Sequence, residues 1–162
     1  MSRKVFNWPL AALLGLVVIA LDQWSKHAIT AAFRYGEVLP VTSFFNLVLV
    51  HNKGAAFSFL SGASGWQREF FIGVTVLAMA MIVWMVRRHR EEQLFCWGLA
   101  CVAAGALGNL IDRVSYGYVI DFLDFHAAGW HFWAFNLADS SITLGAGLLI
   151  LDSFRPRPST AA

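Results

Sequence analysis

Four long apolar runs, separated by polar segments, dominate the hydrophobicity pattern of the 162-residue chain. A helix needs about 20 mostly apolar residues to cross the hydrocarbon core of a bilayer. The predicted spans are residues 9–29, 66–86, 94–113 and 135–154. The pattern therefore predicts one membrane domain over residues 1–162, with two long loops at 30–65 and 114–134.

The two long loops carry a different pattern. Residues 41–51 are rich in β-branched and aromatic side chains, which favours a strand, and a turn at 52–54 leads to a second apolar stretch at 55–59. Residues 116–135 are dense in Tyr, Trp and Phe, as is typical of the membrane–water interface. The predicted fold class is an all-α polytopic membrane protein, with four transmembrane helices and a small β-sheet in the first long loop.

Composition supports a membrane protein. Apolar residues make up 58% of the chain and charged residues 14%, whereas soluble domains average roughly 45–50% and 25%. The formal net charge of +2 gives no indication of nucleic acid as a partner. Cys96 and Cys101 lie in an apolar run without the spacing of a metal or redox motif.

Lysine and arginine predict the orientation. Seven of these residues lie in the N-terminal segment, the second connection and the C-terminal tail, against three in the other loops. The seven are Arg3, Lys4, Arg87, Arg88, Arg90, Arg155 and Arg157, and the three are Arg34, Lys53 and Arg68. Both termini are therefore expected in the cytoplasm. The first span could also be a cleaved signal peptide, but three further spans favour an uncleaved helix.

The ionisable side chains inside the spans are the strongest functional signal, because a charge at the bilayer centre costs at least ~2.5–3.5 kcal/mol. At about 1.5 Å per residue, Asp22, Asp112 and Asp139 lie ~20, ~27 and ~22 Å from the cytoplasmic ends of their spans. All three thus reach the outer half of the membrane. Lys26 lies four residues after Asp22, so these two side chains share a helix face and can pair.

The carboxylates differ in how strongly they indicate function. Asp139 has no basic residue on its own span, so it is expected to be functional, whereas Asp112 could simply cap the end of its span. Asp121, in an apolar setting near the membrane, could be functional or structural, and Asp124 is expected to be solvated.

Two carboxylates in an apolar pocket suggest an aspartic-protease dyad, in which the pair shares one proton. The ionised member would take a proton from water, and the protonated member would polarise a carbonyl. A metal site formed by Asp121, Asp124 and His126 is a weaker alternative, because zinc needs three or four ligands in one place.

Five short motifs resemble those of the bacterial lipoprotein signal peptidases, the signal peptidase II family. They lie at residues 21–26, 52–58, 108–113, 119–122 and 135–140, in the order found in that family. Each motif is weak alone, but five in order over 120 residues are specific.

The resemblance implies an aspartic endopeptidase of the bacterial inner membrane, with its active site near the periplasmic face. Such an enzyme removes signal peptides from diacylglyceryl-modified prolipoproteins, cutting just before the lipidated cysteine. The implied catalytic pair is Asp121 and Asp139. The implied substrate-binding residues are Asn52, Asn109, Arg113 and Asn136, and the implied supporting residues are Asp22, Lys26, Gly54 and Asp112. Membrane lipid and globomycin-type inhibitors are implied partners, and neither metal nor organic cofactor is implied.

Two other functions remain open from the residues alone. Intramembrane carboxylates also serve proton-coupled carriers, although a carrier often shows internal repeats or broken helices. A purely structural membrane subunit would leave Asp139 unexplained.

Overall fold

The structure is a computed structural model that describes residues 5–54 and 66–155. These residues form four helices: α1 (Trp8–Ala32), α2 (Gln67–Arg88), α3 (Gln93–Tyr116) and α4 (Leu137–Ser153). Each predicted span coincides with one helix, and the helix ends lie within three residues of those predicted. Arg3, Lys4 and Arg157, which contribute to the predicted orientation, lie outside the described residues.

Helices α1, α2 and α3 are long and apolar enough to cross a membrane. Their outer surfaces carry large apolar side chains, including Leu77 at 70% exposure and Trp24 at 70%. The prediction of a membrane protein is confirmed to that extent. Helix α4 has 17 residues, a rise of about 26 Å.

Side chains at two helix starts explain where the chain enters α1 and α4. The Asn7 side chain accepts a hydrogen bond from the Leu10 backbone at 3.1 Å, and Pro9 lies in the first turn of α1. At α4, the side chain of Asn136 accepts from the Asp139 backbone while the Asp139 carboxylate accepts from the Asn136 backbone. Both arrangements satisfy N–H groups that have no partner inside the helix.

Helix α3 is the central element, and the other three helices pack against it. Small residues allow α3 and α4 to approach closely. A Cβ atom added to Gly105 of α3 would collide with the backbone carbonyl of Ala138. Such small-residue contacts let apolar helices pack tightly without a hydrophobic driving force.

The strands are β1 (Val38–Pro40), β2 (Phe45–Asn52), β3 (Val119–Ala127) and β4 (Trp130–His131). They form one antiparallel sheet in the order β1-β2-β3-β4. The predicted small sheet is therefore present, but its assignment to the first loop alone is wrong, because β3 and β4 come from the second. The stretch at 55–59, expected to continue the sheet, lies outside the described residues.

The pairing of β2 with β3 joins the two long loops over the ends of the helices. Ile29 near the end of α1 packs with Leu49 of β2 and with Ile120 and Phe122 of β3. Asp121 lies between these two buried residues of β3, and its partner in the register is Val50. The sheet thus holds Asp121 above the helix ends.

Candidate active site

A buried ion cluster lies beneath the sheet. Lys26 Nζ lies 2.8 Å from Asp22 Oδ2 and 2.9 Å from Asp112 Oδ2, and all three side chains are at most 1% exposed. The predicted pairing of Asp22 with Lys26 is confirmed, and Asp112 joins that pair from α3. One lysine between two carboxylates leaves a net negative charge, which the surrounding donors must stabilise.

Those donors come from α4, from β3 and from α1 itself. The Ala138 backbone donates to Asp22 Oδ1 at 2.9 Å, and the Ile120 backbone donates to Asp112 Oδ2 at 3.1 Å. Gln23 Nε2 donates to Asp112 Oδ1 at 2.9 Å and to Asp22 Oδ2 at 3.2 Å. Sequence reasoning missed Gln23, because its partner Asp112 lies on another helix.

Asn109 connects the ion cluster to Asp139. Lys26 Nζ donates to Asn109 Oδ1 at 3.1 Å, so the amide oxygen of Asn109 faces the lysine. The amide nitrogen therefore faces the other way, and it donates to Asp139 Oδ1 at 2.7 Å. The charge of Lys26 thus fixes which end of Asn109 meets the carboxylate.

Asn136 contacts both candidate catalytic aspartates. Its Nδ2 donates to Asp121 Oδ1 at 2.7 Å and to Asn109 Oδ1 at 3.2 Å, and its backbone N–H donates to Asp139 Oδ2 at 3.3 Å. The Asn136 side chain is fully buried. Its position before the first residue of α4 thus brings the start of that helix to β3.

Asp121 is 2% exposed. Burial, followed by the negative charge of Asp139, raises the pKa of Asp121 to about 7, although hydrogen bonds from Asn52 and Asn136 act in the opposite direction. Asn52 Nδ2 supplies the first of those bonds at 3.0 Å. A carboxyl group of this kind is protonated for part of the time at neutral pH, as acid–base catalysis requires.

One side of the site is formed by the turn after β2 and by helix α2. Gly54 has a φ of +104°, and its backbone N–H donates to Asn52 Oδ1 at 2.9 Å. A Cβ atom at Gly54 would run into the ring of Phe71. The guanidinium of Arg113 lies over the same Phe71 ring, 4.9 Å from its centre. Gly54 is therefore required both by its backbone conformation and by this close packing.

Asp124 differs from its sequence-based expectation. It is 6% exposed rather than solvated, and it accepts from Asn46 Nδ2 at 2.8 Å and contacts His131 Nδ1 at 2.9 Å. Burial works to raise the pKa of Asp124, but the hydrogen bonds from Asn46 and His131 keep it below its ordinary value.

The alternative metal set is not brought together. Asp121 and Asp124 are three residues apart on β3, so their side chains leave opposite faces of the strand. Among the described residues, no group of three or more His, Cys, Asp or Glu side chains is arranged to hold a metal ion.

Known proteins match both the sequence and the fold. The family model described as signal peptidase (SPase) II matches residues 14–155. The chain belongs to the signal peptidase II family. Its members are membrane proteases, and the chain accordingly has the function of removing signal peptides from prolipoproteins.

Individual relatives agree with this membership. A lipoprotein signal peptidase of Ralstonia nicotianae is 57% identical over 142 residues, which cover 88% of this chain and 82% of the relative. That of Burkholderia vietnamiensis is 59% identical over 154 residues, covering 94% and 93%. A solved structure described as a bacterial membrane enzyme is 30% identical, covers both chains completely and superimposes with a TM-score of 0.85.

The ion cluster makes a testable contribution to the stability of this signal peptidase II. Replacing Lys26 by Met leaves two buried carboxylates without their cation, which costs about 3–5 kcal/mol of unfolding free energy. We expect Lys26→Met to lower the unfolding midpoint in detergent strongly, whereas Arg34→Met, which removes an exposed cation, leaves it nearly unchanged. Equal midpoints for the two variants would show that the cluster does not stabilise the fold.

Proposed function

We propose that the chain is an aspartic endopeptidase whose catalytic pair is Asp121 and Asp139. The observation that carries this proposal is the shared contact with Asn136, which donates to Asp121 through its side chain and to Asp139 through its backbone. Two carboxylates joined by one fully buried residue are held at a fixed separation. Such preorganisation is what a two-carboxylate mechanism needs.

The chemistry follows from one shared proton. The ionised carboxylate takes a proton from a water molecule as its oxygen attacks the scissile carbonyl carbon, and the protonated carboxyl donates to the carbonyl oxygen. In the resulting diol the C–N bond breaks as the protonated carboxyl gives its proton to the amide nitrogen, while the ionised carboxylate takes a proton from a diol hydroxyl to leave a carboxylic acid. The dyad then holds one proton again, so a full cycle consumes only water.

The four expected substrate-binding residues divide by their surroundings. Asn109 is 5% exposed and Asn136 is fully buried, with their amide groups engaged by the dyad and by Lys26. Asn52 and Arg113 are only partly buried. We therefore infer that Asn52 and Arg113 contact the substrate backbone, while Asn109 and Asn136 position the aspartates. Gly54, Asp22, Lys26 and Asp112 support that arrangement.

The proposed substrate is a signal peptide whose following cysteine carries diacylglycerol, with cleavage just before that cysteine. A signal peptide is itself a membrane helix, so its peptide bonds must be unwound to be cut. Freed backbone groups in an apolar environment need hydrogen-bond partners. Amide and guanidinium groups such as those of Asn52 and Arg113 supply them.

We further propose that the chain is one membrane domain with four spans, in the bacterial inner membrane. Large exposed apolar residues of α4, such as Leu144 and Leu151, support it as the fourth span. Arg87, Arg88 and Arg155 lie at the helix ends opposite the sheet. The positive-inside rule then places both termini in the cytoplasm and the dyad near the periplasmic face.

Globomycin-type cyclic peptides are proposed to occupy the dyad and compete with substrate. Prolipoprotein and membrane lipid are the proposed partners, with no role for nucleic acid. The proposed reaction uses no metal and no organic cofactor.

The dyad is tested by isosteric substitution with a matched control. Asp121→Asn and Asp139→Asn keep the side-chain size but remove the proton-carrying group, so each should abolish cleavage of a lipidated precursor in purified, folded protein. Asp124→Asn changes another buried aspartate of the same strand and should retain most activity. Substantial cleavage by either dyad variant would remove that residue from the mechanism.

The pH dependence follows from the raised pKa of Asp121. A raised pKa keeps the carboxyl protonated up to about pH 7, so the proton that the pair needs is present below that pH and lost above it. We expect kcat/KM to fall by about tenfold per pH unit on the alkaline side. A rate that keeps rising towards pH ~9 would instead indicate a nucleophile that must be deprotonated.

The lipid requirement is tested with one precursor in two forms. Each buried CH₂ contributes about 0.8 kcal/mol to anchoring, so diacylglycerol holds the cysteine at the membrane surface beside the dyad. Without it the scissile bond loses its positioning. We expect the unlipidated precursor to be cut far more slowly in the same bilayer, and equal rates would mean that the lipid is not recognised.

A further inference from the structure

A second cleft lies on the side of α3 away from the dyad. Its volume is about 360 Å³, and only apolar side chains line it, from α1, α2 and α3 and from Phe6, which precedes α1. Ala103 and Ala104 of α3 form its floor, and Gly15 and Val83 line its walls. We call this cleft the α1–α2 groove.

The groove is separate from the active site. Its floor on α3 ends at Leu107, and Asn109, which contacts Asp139, follows two residues later. Two residues turn a helix by about 200°, so the two clefts open on nearly opposite faces of α3. A ligand in the groove would therefore not occupy the catalytic cleft.

Positive charge lies at one end of the groove. Val83 and Val86 line the wall formed by α2, and Arg87 follows Val83 by four residues on the same helix face. Arg90 lies two residues beyond the end of α2. The backbone of Phe6, which also lines the groove, donates to the carbonyl of Arg90 at 2.8 Å.

Both arginines are exposed, and no ion pair to either is found among residues 5–54 and 66–155. Two carboxylates follow in the chain, and one of them, Glu92, lies 2.8 Å from the ring of His89. The third arginine of this segment, Arg88, falls on a different face of α2 from the groove-lining residues.

We propose that the α1–α2 groove binds an anionic phospholipid of the surrounding leaflet. One acyl chain lies along the alanine floor, and the phosphate lies between Arg87 and Arg90. Basic pockets between transmembrane helices are suited to acidic headgroups. The occupant is a lipid rather than a helix of a second copy, because the groove joins an entirely apolar lining to an exposed positive end, which matches an acyl chain and its phosphate.

The test is a titration of the purified full chain in neutral detergent, with bound lipid counted by native mass spectrometry. Phosphatidylglycerol is compared with phosphatidylcholine carrying the same acyl chains. The double variant R87Q/R90Q removes the charge at the groove, and R88Q/R155Q removes the same charge elsewhere. Gly15→Leu fills the groove from α1, where the nearest atom to an added Cβ is 3.8 Å away.

Phosphatidylglycerol should bind more tightly than phosphatidylcholine to the unchanged chain. R87Q/R90Q should weaken phosphatidylglycerol binding by roughly fivefold for each arginine removed, whereas R88Q/R155Q should leave it nearly unchanged. Gly15→Leu should weaken binding of both lipids while cleavage of a lipidated precursor, which shows that the variant is folded, is retained.

Three results would overturn the proposal. Equal affinity for the two lipids would remove the role of the phosphate. Equal losses in the two arginine variants would indicate diffuse surface charge rather than a site. Unchanged lipid binding in Gly15→Leu would show that no acyl chain occupies the groove. The same would follow if the mass spectra showed that Gly15→Leu loses protein dimers and keeps its bound lipid.

Discussion

The structure depends on one buried cation. Lys26 lies within 3 Å of two carboxylates from different helices, and the three groups are removed from water. A buried charge without its partner is costly, so this interaction requires α1 and α3 to meet in a single register. Asp22 also accepts from the start of α4, and Asp112 accepts from β3. Every element that carries a candidate catalytic aspartate is thereby tied to the same cluster.

The candidate active site is built outward from that cluster by asparagines. Lys26 orients Asn109, Asn109 donates to Asp139, and Asn136 bridges Asn109 to Asp121. An amide side chain has one accepting end and one donating end, so the orientation of the first asparagine determines that of the next. Lys26, which does not touch the substrate in this account, therefore sets the geometry of Asp121 and Asp139, which do.

Sequence patterns predicted the parts of this arrangement that depend on local spacing. The spans follow from apolar runs, the pairing of Asp22 with Lys26 follows from the helical repeat, and the shared depth of Asp22, Asp112 and Asp139 follows from counting residues along the helices. The capping box of Asn136 and Asp139 was not predicted, because the fourth span was expected to begin at residue 135 and not after Asn136.

Long-range pairing was not predictable in the same way. Strand β3, from the second long loop, pairs with β2, from the first. Nothing in the sequence of either strand specifies the other as its partner. The aromatic residues of β3 were interpreted as an interfacial belt, and Asp124 as solvated, because the strand was not recognised. The role of Gln23 likewise depends on α3 lying beside α1, which only the folded chain shows.

The central claim is that the charge of Lys26, and not merely the packing of its cluster, orients the asparagines that hold the dyad. The most direct test is kcat/KM of the triple variant D22N/K26M/D112N on a lipidated precursor. Because this variant buries no unpaired charge, it should remain folded, with Asn109 no longer held by a cation. The account predicts a loss of roughly a hundredfold, typical of misplaced catalytic groups. Wild-type kcat/KM in the folded triple variant would contradict it.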